Sequence, residues 1–264
     1  MSKPLHDIHM HDSSEDFHQC WATAGNHILH QVERGQLNVF RTTLTPPIRE
    51  HHVFRLGSKL FTVFIEDVDN RLNTPSSLDG VMHGSIEMNA IPCVMRMQRD
   101  SAGKWQVVGN RWGLTNPETG EEIFPPDLVT EEKIEMSEWE LKDLAIQTVT
   151  NKLKEKGCQI ASHCSDPKVD PSIWFADENE VWSYAIVRAV RYPTVEASIP
   201  HNLPAMVEHC KNESGEGYFY SISVANNQDA FAPNEIPALP LWRGDGYLLR
   251  ASEPIHVKEL LQKH

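Results

Sequence analysis

Residues 170–193, "DPSIWFADENEVWSYAIVRAVRYP", have the pattern of a β-hairpin. The stretches "SIWFA" and "WSYAIVRAV" are rich in β-branched and aromatic residues, and the polar run "DENE" between them is typical of a turn. Alternation along the second stretch predicts that Arg188 shares one face of the strand with Trp182, Tyr184, Ile186 and Val190. An arginine among large apolar residues needs an acidic partner if it is buried.

A second hairpin, "FRLGSKLFTVFIEDV" at residues 54–68, lies in the first half of the chain. Each hairpin follows a helical stretch and precedes a short helix, a β-type segment and a tail that contains tryptophan and glycine. Matching elements of the two halves are separated by about 120 to 126 positions, which indicates an internal duplication.

The helix before each hairpin has clear end signals. In "MSEWELKDLAIQTVTNKLKEKG", Ser137 and Glu140 predict a capping box and Gly157 predicts the stop. In "DSSEDFHQCWATAGNHILHQVERG", the caps are expected between Asp12 and Ser14 and the stop at Gly35. The apolar stripes of the two helices are Phe17, Trp21, Ala24, Ile28 and Val32, and Leu141, Leu144, Ala145, Val149 and Leu153.

These elements predict an α+β fold of two related halves, each with a helix, a β-hairpin, a second helix and one or more strands around a small, mainly antiparallel sheet. The joint "PPDLVTEEKIEM" at 125–136 is polar and short and has no Gly/Ser-rich linker. We therefore expect an N-terminal half at 1–130 and a C-terminal half at 131–264 that packs closely on it.

Composition narrows the function classes. The chain has 24 Lys and Arg against 37 Asp and Glu, a net charge of −13, which disfavours binding to nucleic acid. No apolar run is long enough for a membrane helix, and the start of the chain lacks the pattern of a secretory signal. The five scattered cysteines fit free thiols better than disulfides. We expect a cytoplasmic protein that binds neither membranes nor nucleic acids.

The order helix, hairpin, helix, strand resembles the core of the PD-(D/E)XK, or restriction-endonuclease-like, superfamily. That resemblance implies a metal-dependent phosphodiesterase in which an acid on one strand and an acid-x-Lys on the next hold Mg²⁺ and orient water. Asp170 takes the place of the first acid, and "AVR", Ala189 to Arg191, takes the place of the acid-x-Lys. Alanine cannot bind a metal and arginine does not act as a base, so the set is degenerate. The series "DPSIWF", "IVRAVRYP" and "LWRG" also resembles uncharacterised bacterial proteins.

Alignment of the two hairpins places Glu66 opposite Arg188 and Asp67 opposite Ala189. The first half therefore has acids at the right place, but no lysine follows them. Asp170, Glu66 and Asp67 remain the candidate catalytic residues if the protein is an enzyme.

The number of histidines and cysteines suggests a metal site, but their positions in the sequence do not support one. His6, His9 and His11 lie in a polar terminal stretch, where a mobile tail is the simpler interpretation. The spacing of a further group matches no zinc template. We expect no metal site and no cofactor. The members of that group are Cys158, His163, Cys164, His209 and Cys210.

Arg188 and Arg191 are open to two interpretations. They could form ion pairs inside the protein, or they could hold an anionic ligand or an acidic side chain of a partner. For an internal pair of Arg188 the first candidate is Glu66, because the duplication gives these equivalent positions opposite charges. The local alternatives are Asp143 and Asp170.

Taken together, these patterns predict a non-catalytic, cytoplasmic binding or interaction protein whose partner is a protein or a small anionic ligand. One alternative is a metal-dependent, nuclease-like phosphodiesterase that uses Asp170 with Glu66 or Asp67. A further alternative is an acidic protein that mimics nucleic acid. Binding of a divalent metal at a carboxylate cluster would distinguish the enzyme from the binding protein.

Overall fold

The computed structural model of the chain describes residues 14–31, 37–41, 51–74, 77–214, 216–229, 231 and 238–262. The histidines His6, His9 and His11 lie outside the described residues, as do Asp12, Val32 and Gly35. The chain divides into two compact units. The first contains the described residues of His11–Ile134 together with Trp242–Gly244, and the second contains those of Glu135–Leu241 and Asp245–His264.

Over its described residues, the first unit has two helices and seven strands. The sheet order is β1-β2-β3-β4-β6-β7, and β5 also pairs with β4. A short 3-10 helix, Pro125–Leu128, follows the last strand. The elements are α1 (Glu15–Gln31), β1 (Leu37–Arg41), β2 (His52–Leu56), β3 (Lys59–Asp67), α2 (Leu78–Glu87), β4 (Ile91–Arg99), β5 (Trp105–Val107), β6 (Leu114–Thr115) and β7 (Glu122–Ile123).

The described part of the second unit has three helices and six strands. The sheet order is β12-β11-β10-β9-β8, and β13 also pairs with β11. The elements are α3 (Glu138–Glu155), β8 (Gln159–His163), β9 (Ile173–Ala176), β10 (Trp182–Arg191), α4 (Leu203–Cys210), β11 (Glu216–Asn226), β12 (Tyr247–Ala251), β13 (Ile255–His256) and α5 (Val257–Gln262).

The two sheets have the same strand order and directions over their first four strands. β1-β2-β3 and β8-β9-β10 are antiparallel series. β3 pairs with β4 in parallel, and β10 pairs with β11 in parallel. In each unit a helix, α2 or α4, connects the two parallel strands, as a parallel pair requires. The fold is therefore α+β, with one mixed sheet in each of two halves.

The predicted helix signals have the expected geometry. Ser137 Oγ accepts a hydrogen bond from Glu140 N at 3.3 Å, and Glu140 Oε2 accepts one from Ser137 N at 2.9 Å, which confirms the capping box. Ser14 Oγ accepts from Phe17 N at 3.1 Å at the start of α1. The apolar stripes of α1 and α3 are buried over their described residues.

Each sheet carries its main core on the face covered by the first helix of its unit. In the first unit α1 contributes Phe17 and Trp21 to a cluster with Phe54 and Phe61. In the second unit, strand alternation separates two clusters. Ala185 and Val187 of β10 pack in the cluster of α3, and Tyr184 and Ile186 pack in that of α4 and α5. This separation confirms that Tyr184 and Ile186 share one face of β10, as the alternation predicts.

The sequence patterns did not predict β1, β8 and α5, nor the strands of the tails and their flanks, which are β5, β6, β7, β12 and β13. β1 and β8 follow α1 and α3 in stretches that read as polar loops, and α5 ends the described chain. β8, "QIASH", has few β-branched residues, but antiparallel pairing with β9, from Gln159 opposite Ala176 to His163 opposite Ile173, holds it in the sheet. Among the described residues, no helix has the length and apolar character needed to cross a membrane.

Candidate functional site

The candidate site is a group of charged side chains in the second unit at the predicted hairpin β9-β10. Asp170 lies just before β9 and Arg188 lies on β10. Lys142 and Asp143 lie on α3, which covers this sheet. We call these four residues the ion cluster. Asp170 is fully buried, and Lys142 and Asp143 are nearly so.

Arg188 and Asp170 form a bidentate salt bridge. Arg188 Nη1 donates to Asp170 Oδ1 at 2.7 Å, and Arg188 Nη2 donates to Asp170 Oδ2. The side chain of Arg188 is 16% exposed and that of Asp170 is 0% exposed. A planar guanidinium that meets both carboxylate oxygens satisfies the geometry of each group. The local acid Asp170 is therefore the partner of Arg188, and the expectation that Glu66 fills this role is wrong.

Lys142 reaches the same region from the helix. Its Nζ donates to Ser172 Oγ at 2.6 Å and to the carbonyl oxygen of Val187. Arg188 Nη1 also donates to that carbonyl, at 3.2 Å. Ser172 Oγ accepts from Val187 N at 3.0 Å and is fully buried. Ser172 therefore holds two chain segments together and is not an accessible nucleophile.

The second acid on α3 has its own hydrogen bonds. Asp143 Oδ1 accepts from Ser165 Oγ at 2.7 Å, and Asp143 Oδ2 accepts from Gln147 Nε2 at 3.2 Å. Every member of the ion cluster thus forms hydrogen bonds within the second unit. The cluster joins α3, the segment before β9 and β10.

Arg191, the other predicted ligand-binding arginine, ties the end of β10 to the start of α3. It donates to Glu135 Oε1 at 2.9 Å, to Glu138 Oε1 at 3.3 Å and to the carbonyl oxygen of Met136. Both arginines therefore have internal acidic partners.

The candidate acids of the first unit lie on β3 but have different roles. Glu66 Oε2 accepts from Arg96 Nε at 3.0 Å, and this pair is 45% and 51% exposed. Glu66 and Arg96 are direct neighbours in the parallel pairing of β3 with β4. Asp67 is buried, and its carboxylate accepts from the backbone N–H groups of Asp69, Arg71 and Leu72. Asp67 therefore stabilises the turn after β3.

Cysteines and histidines are dispersed. All five cysteines are free thiols. Burial raises the pKa of the Cys20 and Cys93 thiols to about 12, which keeps both protonated and unreactive at neutral pH. Burial also raises the pKa of the Cys158 thiol. In the described part of the chain, no three His, Cys, Asp or Glu side chains come together as a metal ion would require.

Sequence reasoning singled out Asp170 and Arg188 but missed Lys142 and Ser172. A signal existed for Lys142, because it lies one turn before Ile146 and two turns before Val149, both on the buried stripe of α3. A signal existed for the ion pair too. The hairpin pairs Ala185 with Ile173, and continuing that register by three residues places residue 188 opposite residue 170.

Comparisons with known proteins give one finding. Residues 139–255 match the family model described as a domain of unknown function (DUF8840). The match begins in α3, ends in β13 and includes the whole ion cluster. No curated protein and no solved structure matches the chain.

Proposed function

We propose that the protein is a non-catalytic binding or interaction protein and not a metal-dependent nuclease. The pairing of Asp170 with Arg188 is the observation that carries this proposal. In the resemblance to the PD-(D/E)XK core, Asp170 would be the first metal-binding acid. Here both of its oxygens accept hydrogen bonds from one guanidinium, and its side chain is fully buried.

A metal ion at this place would have to displace Arg188 from Asp170. Removing one partner of a buried pair leaves an uncompensated charge, which costs about 3–5 kcal/mol. A Mg²⁺ site also needs further oxygen ligands, and the next strand offers Ala189 where the resemblance requires an acid. The two charges therefore favour a structural pair over a metal ligand.

The acids of the first unit add support. Glu66 pairs with Arg96, and Asp67 accepts from three backbone N–H groups. Among the described residues, neither carboxylate belongs to a group of three His, Cys, Asp or Glu side chains that could hold a metal ion. The alternative that combines Asp170 with Glu66 or Asp67 therefore lacks a prepared ligand set.

A binding role gains support from the turn end of the β9-β10 hairpin. Val181 and Trp182 are exposed there, Trp182 by 41%. The turn before them carries Asp177, Glu178 and Glu180. Exposed aromatic side chains beside charged ones are common in protein interfaces. We propose that this end of the hairpin contacts a partner with basic side chains, and that the protein works in the bacterial cytoplasm, where five free thiols remain reduced.

Calorimetric titration with Mg²⁺ and Mn²⁺ tests the absence of catalysis. We expect no stoichiometric binding and no cleavage of single- or double-stranded DNA or RNA in either metal. The matched variant Asp170→Asn should behave like the parent in both assays. Stoichiometric metal binding together with cleavage, both lost in Asp170→Asn, would show that the protein is a nuclease.

A further inference from the structure

The outer edge of the second sheet is formed by β12, and it has the properties of a strand that pairs with another strand. Among the described residues β12 pairs only with β11. Its register with β11 is continuous from Tyr247 opposite Asn226 to Ala251 opposite Ile222. Tyr247 and Leu248 are each 39% exposed.

The hydrogen-bond pattern shows which backbone groups of β12 face outward. Asn227 N donates to Gly246 O at 3.1 Å, and Ser252 N donates to Ser221 O at 2.9 Å, one bond beyond each end of the strand. In an antiparallel pair, hydrogen-bonded positions alternate along the strand. Leu248 and Arg250 therefore bond to β11, whereas the N–H and C=O groups of the alternate residues point away from it. These outward residues are Tyr247, Leu249 and Ala251.

The other described edges differ from β12 in ways that hinder pairing. β1 and β8 each contain a register shift, between Leu37 and Val39 and between Ile160 and Ser162. β7 and β13 have only two residues each, and β5, which pairs only with β4, has three. Bulges and short strands are devices by which proteins protect sheet edges from association. β12 has five residues and a regular register, and its single charged residue, Arg250, is not at its centre.

We propose that β12 pairs with β12 of a second copy of this chain, antiparallel and with Leu249 opposite Leu249. This register joins outward groups to outward groups, because Leu249 meets itself and Tyr247 meets Ala251. Each such pair can exchange two backbone hydrogen bonds. On the other face Arg250 lies opposite Leu248, so no like charges of the two strands face each other directly.

Self-complementarity favours a second copy over a foreign strand. A two-fold axis at Leu249 satisfies the outward donors and acceptors with an identical set, as an isologous interface requires. Leu249 and Ala251 already pack against the α3 side of the sheet, so the pairing continues that side into the second copy. The inference does not depend on the absence of catalysis proposed above.

The net charge of −13 gives the proposed dimer a distinctive dependence on salt. Two acidic chains repel each other, and salt screens that repulsion. The dimer should therefore become stronger as the ionic strength rises. An association held mainly by opposite charges would become weaker.

Light scattering coupled to size exclusion, on the full chain, tests the proposal. The parent should approach twice its chain mass of 30.0 kDa at high protein concentration and dissociate on dilution. Leu249→Pro removes an outward N–H without removing a bond to β11, and it should remain monomeric. Leu249→Lys should also remain monomeric, because two lysines would meet at the axis. Gln159→Lys adds the same charge at the opposite edge, on β8, and should dimerise like the parent.

Amide hydrogen exchange gives a second readout that is independent of substitutions. The amides of Tyr247, Leu249 and Ala251 should gain protection as protein concentration rises, whereas those of Leu248 and Arg250 should be protected at every concentration. A parent that stays monomeric throughout would overturn the proposal. A dimer that persists in both Leu249 variants would place the interface elsewhere and overturn it equally.

Discussion

Beneath α3 the second unit buries Lys142 and Asp143, whereas α1 places Cys20 and Trp21 against the first sheet. The two sheets share strand order and directions over their first four strands. Since the first helix of the first unit buries only uncharged residues, the topology does not require the buried Lys142 and Asp143 of the second. Buried ions add little stability compared with well-packed apolar groups. The cluster is therefore a feature in which the two units differ although their sheets share strand order and directions.

The strongest test of this comparison removes one arginine from each unit. Arg188→Ala leaves Asp170 buried without its two-pronged partner and should lower the free energy of unfolding by about 3–5 kcal/mol. Arg96→Ala removes the partner of exposed Glu66 and should cost less than about 1 kcal/mol. Urea denaturation followed by circular dichroism measures both. Equal losses in the two variants would contradict the distinction between a buried and an exposed pair.

A second test uses pH, because the first unit buries a histidine. His52 lies against Trp21, with ring centroids 4.1 Å apart, and its Nε2 donates to the carbonyl oxygen of Trp21 at 2.9 Å. Burial lowers the pKa of His52 from 6.5 to about 3. The unfolded chain therefore takes up a proton below pH 6.5 that the folded chain does not accept until about pH 3.

The contribution of neutral His52 to the free energy of unfolding should therefore be fully present above pH 6.5. It should decrease progressively as the pH is lowered toward 3, by several kcal/mol in total for His52 alone. Thermal melts across this range test the prediction. His52→Phe should be less stable at neutral pH but should lose less on acidification. His83→Phe, at an exposed histidine on α2, should keep the slope of the parent. An unchanged slope in His52→Phe would assign the acid sensitivity to other groups.

The smallest expected effect concerns Lys142. Lys142→Met keeps most of the side-chain volume but removes the donor to Ser172 Oγ and Val187 O, and should cost about 1–3 kcal/mol. Lys152→Met, at an exposed position of the same helix, should change stability by no more than about 0.5 kcal/mol. Chemical denaturation compares the two. If Lys142→Met were more stable than the parent, apolar packing would suit this site as it suits the first unit.

The sequence predicted the elements whose signals are local. The capping box of α3 depends on residues three positions apart, and both hairpins depend on strands joined by a short turn. β8 was missed because its pairing with β9, and not its own composition, makes it a strand. Likewise, the Glu66–Arg96 pair arises from the parallel register of β3 and β4, which a helix connects. The two residues are 30 positions apart, and this spacing does not predict their contact.

The candidate site shows the same limit. The resemblance to the PD-(D/E)XK core identified Asp170 as a candidate. The side chains that surround Asp170 come from elements distant in sequence, and only the structure shows them. Lys142 comes from a helix 30 positions before Ser172. The register of the hairpin brings Arg188, 18 positions later, to Asp170. Whether an acid is a metal ligand or half of an ion pair depends on such neighbours, which the residue type alone does not reveal.

The short segment Trp242–Gly244 has a consequence for how the protein is made. It belongs to the first unit although it follows Glu135–Leu241 of the second unit. There Arg243 is buried and donates to the carbonyl oxygens of Met88 and Asn89, just after α2. A ribosome must therefore synthesise residues 135–241 of the second unit before the first unit receives this segment. Until Arg243 has been synthesised, the carbonyl groups of Met88 and Asn89 lack this hydrogen-bond donor.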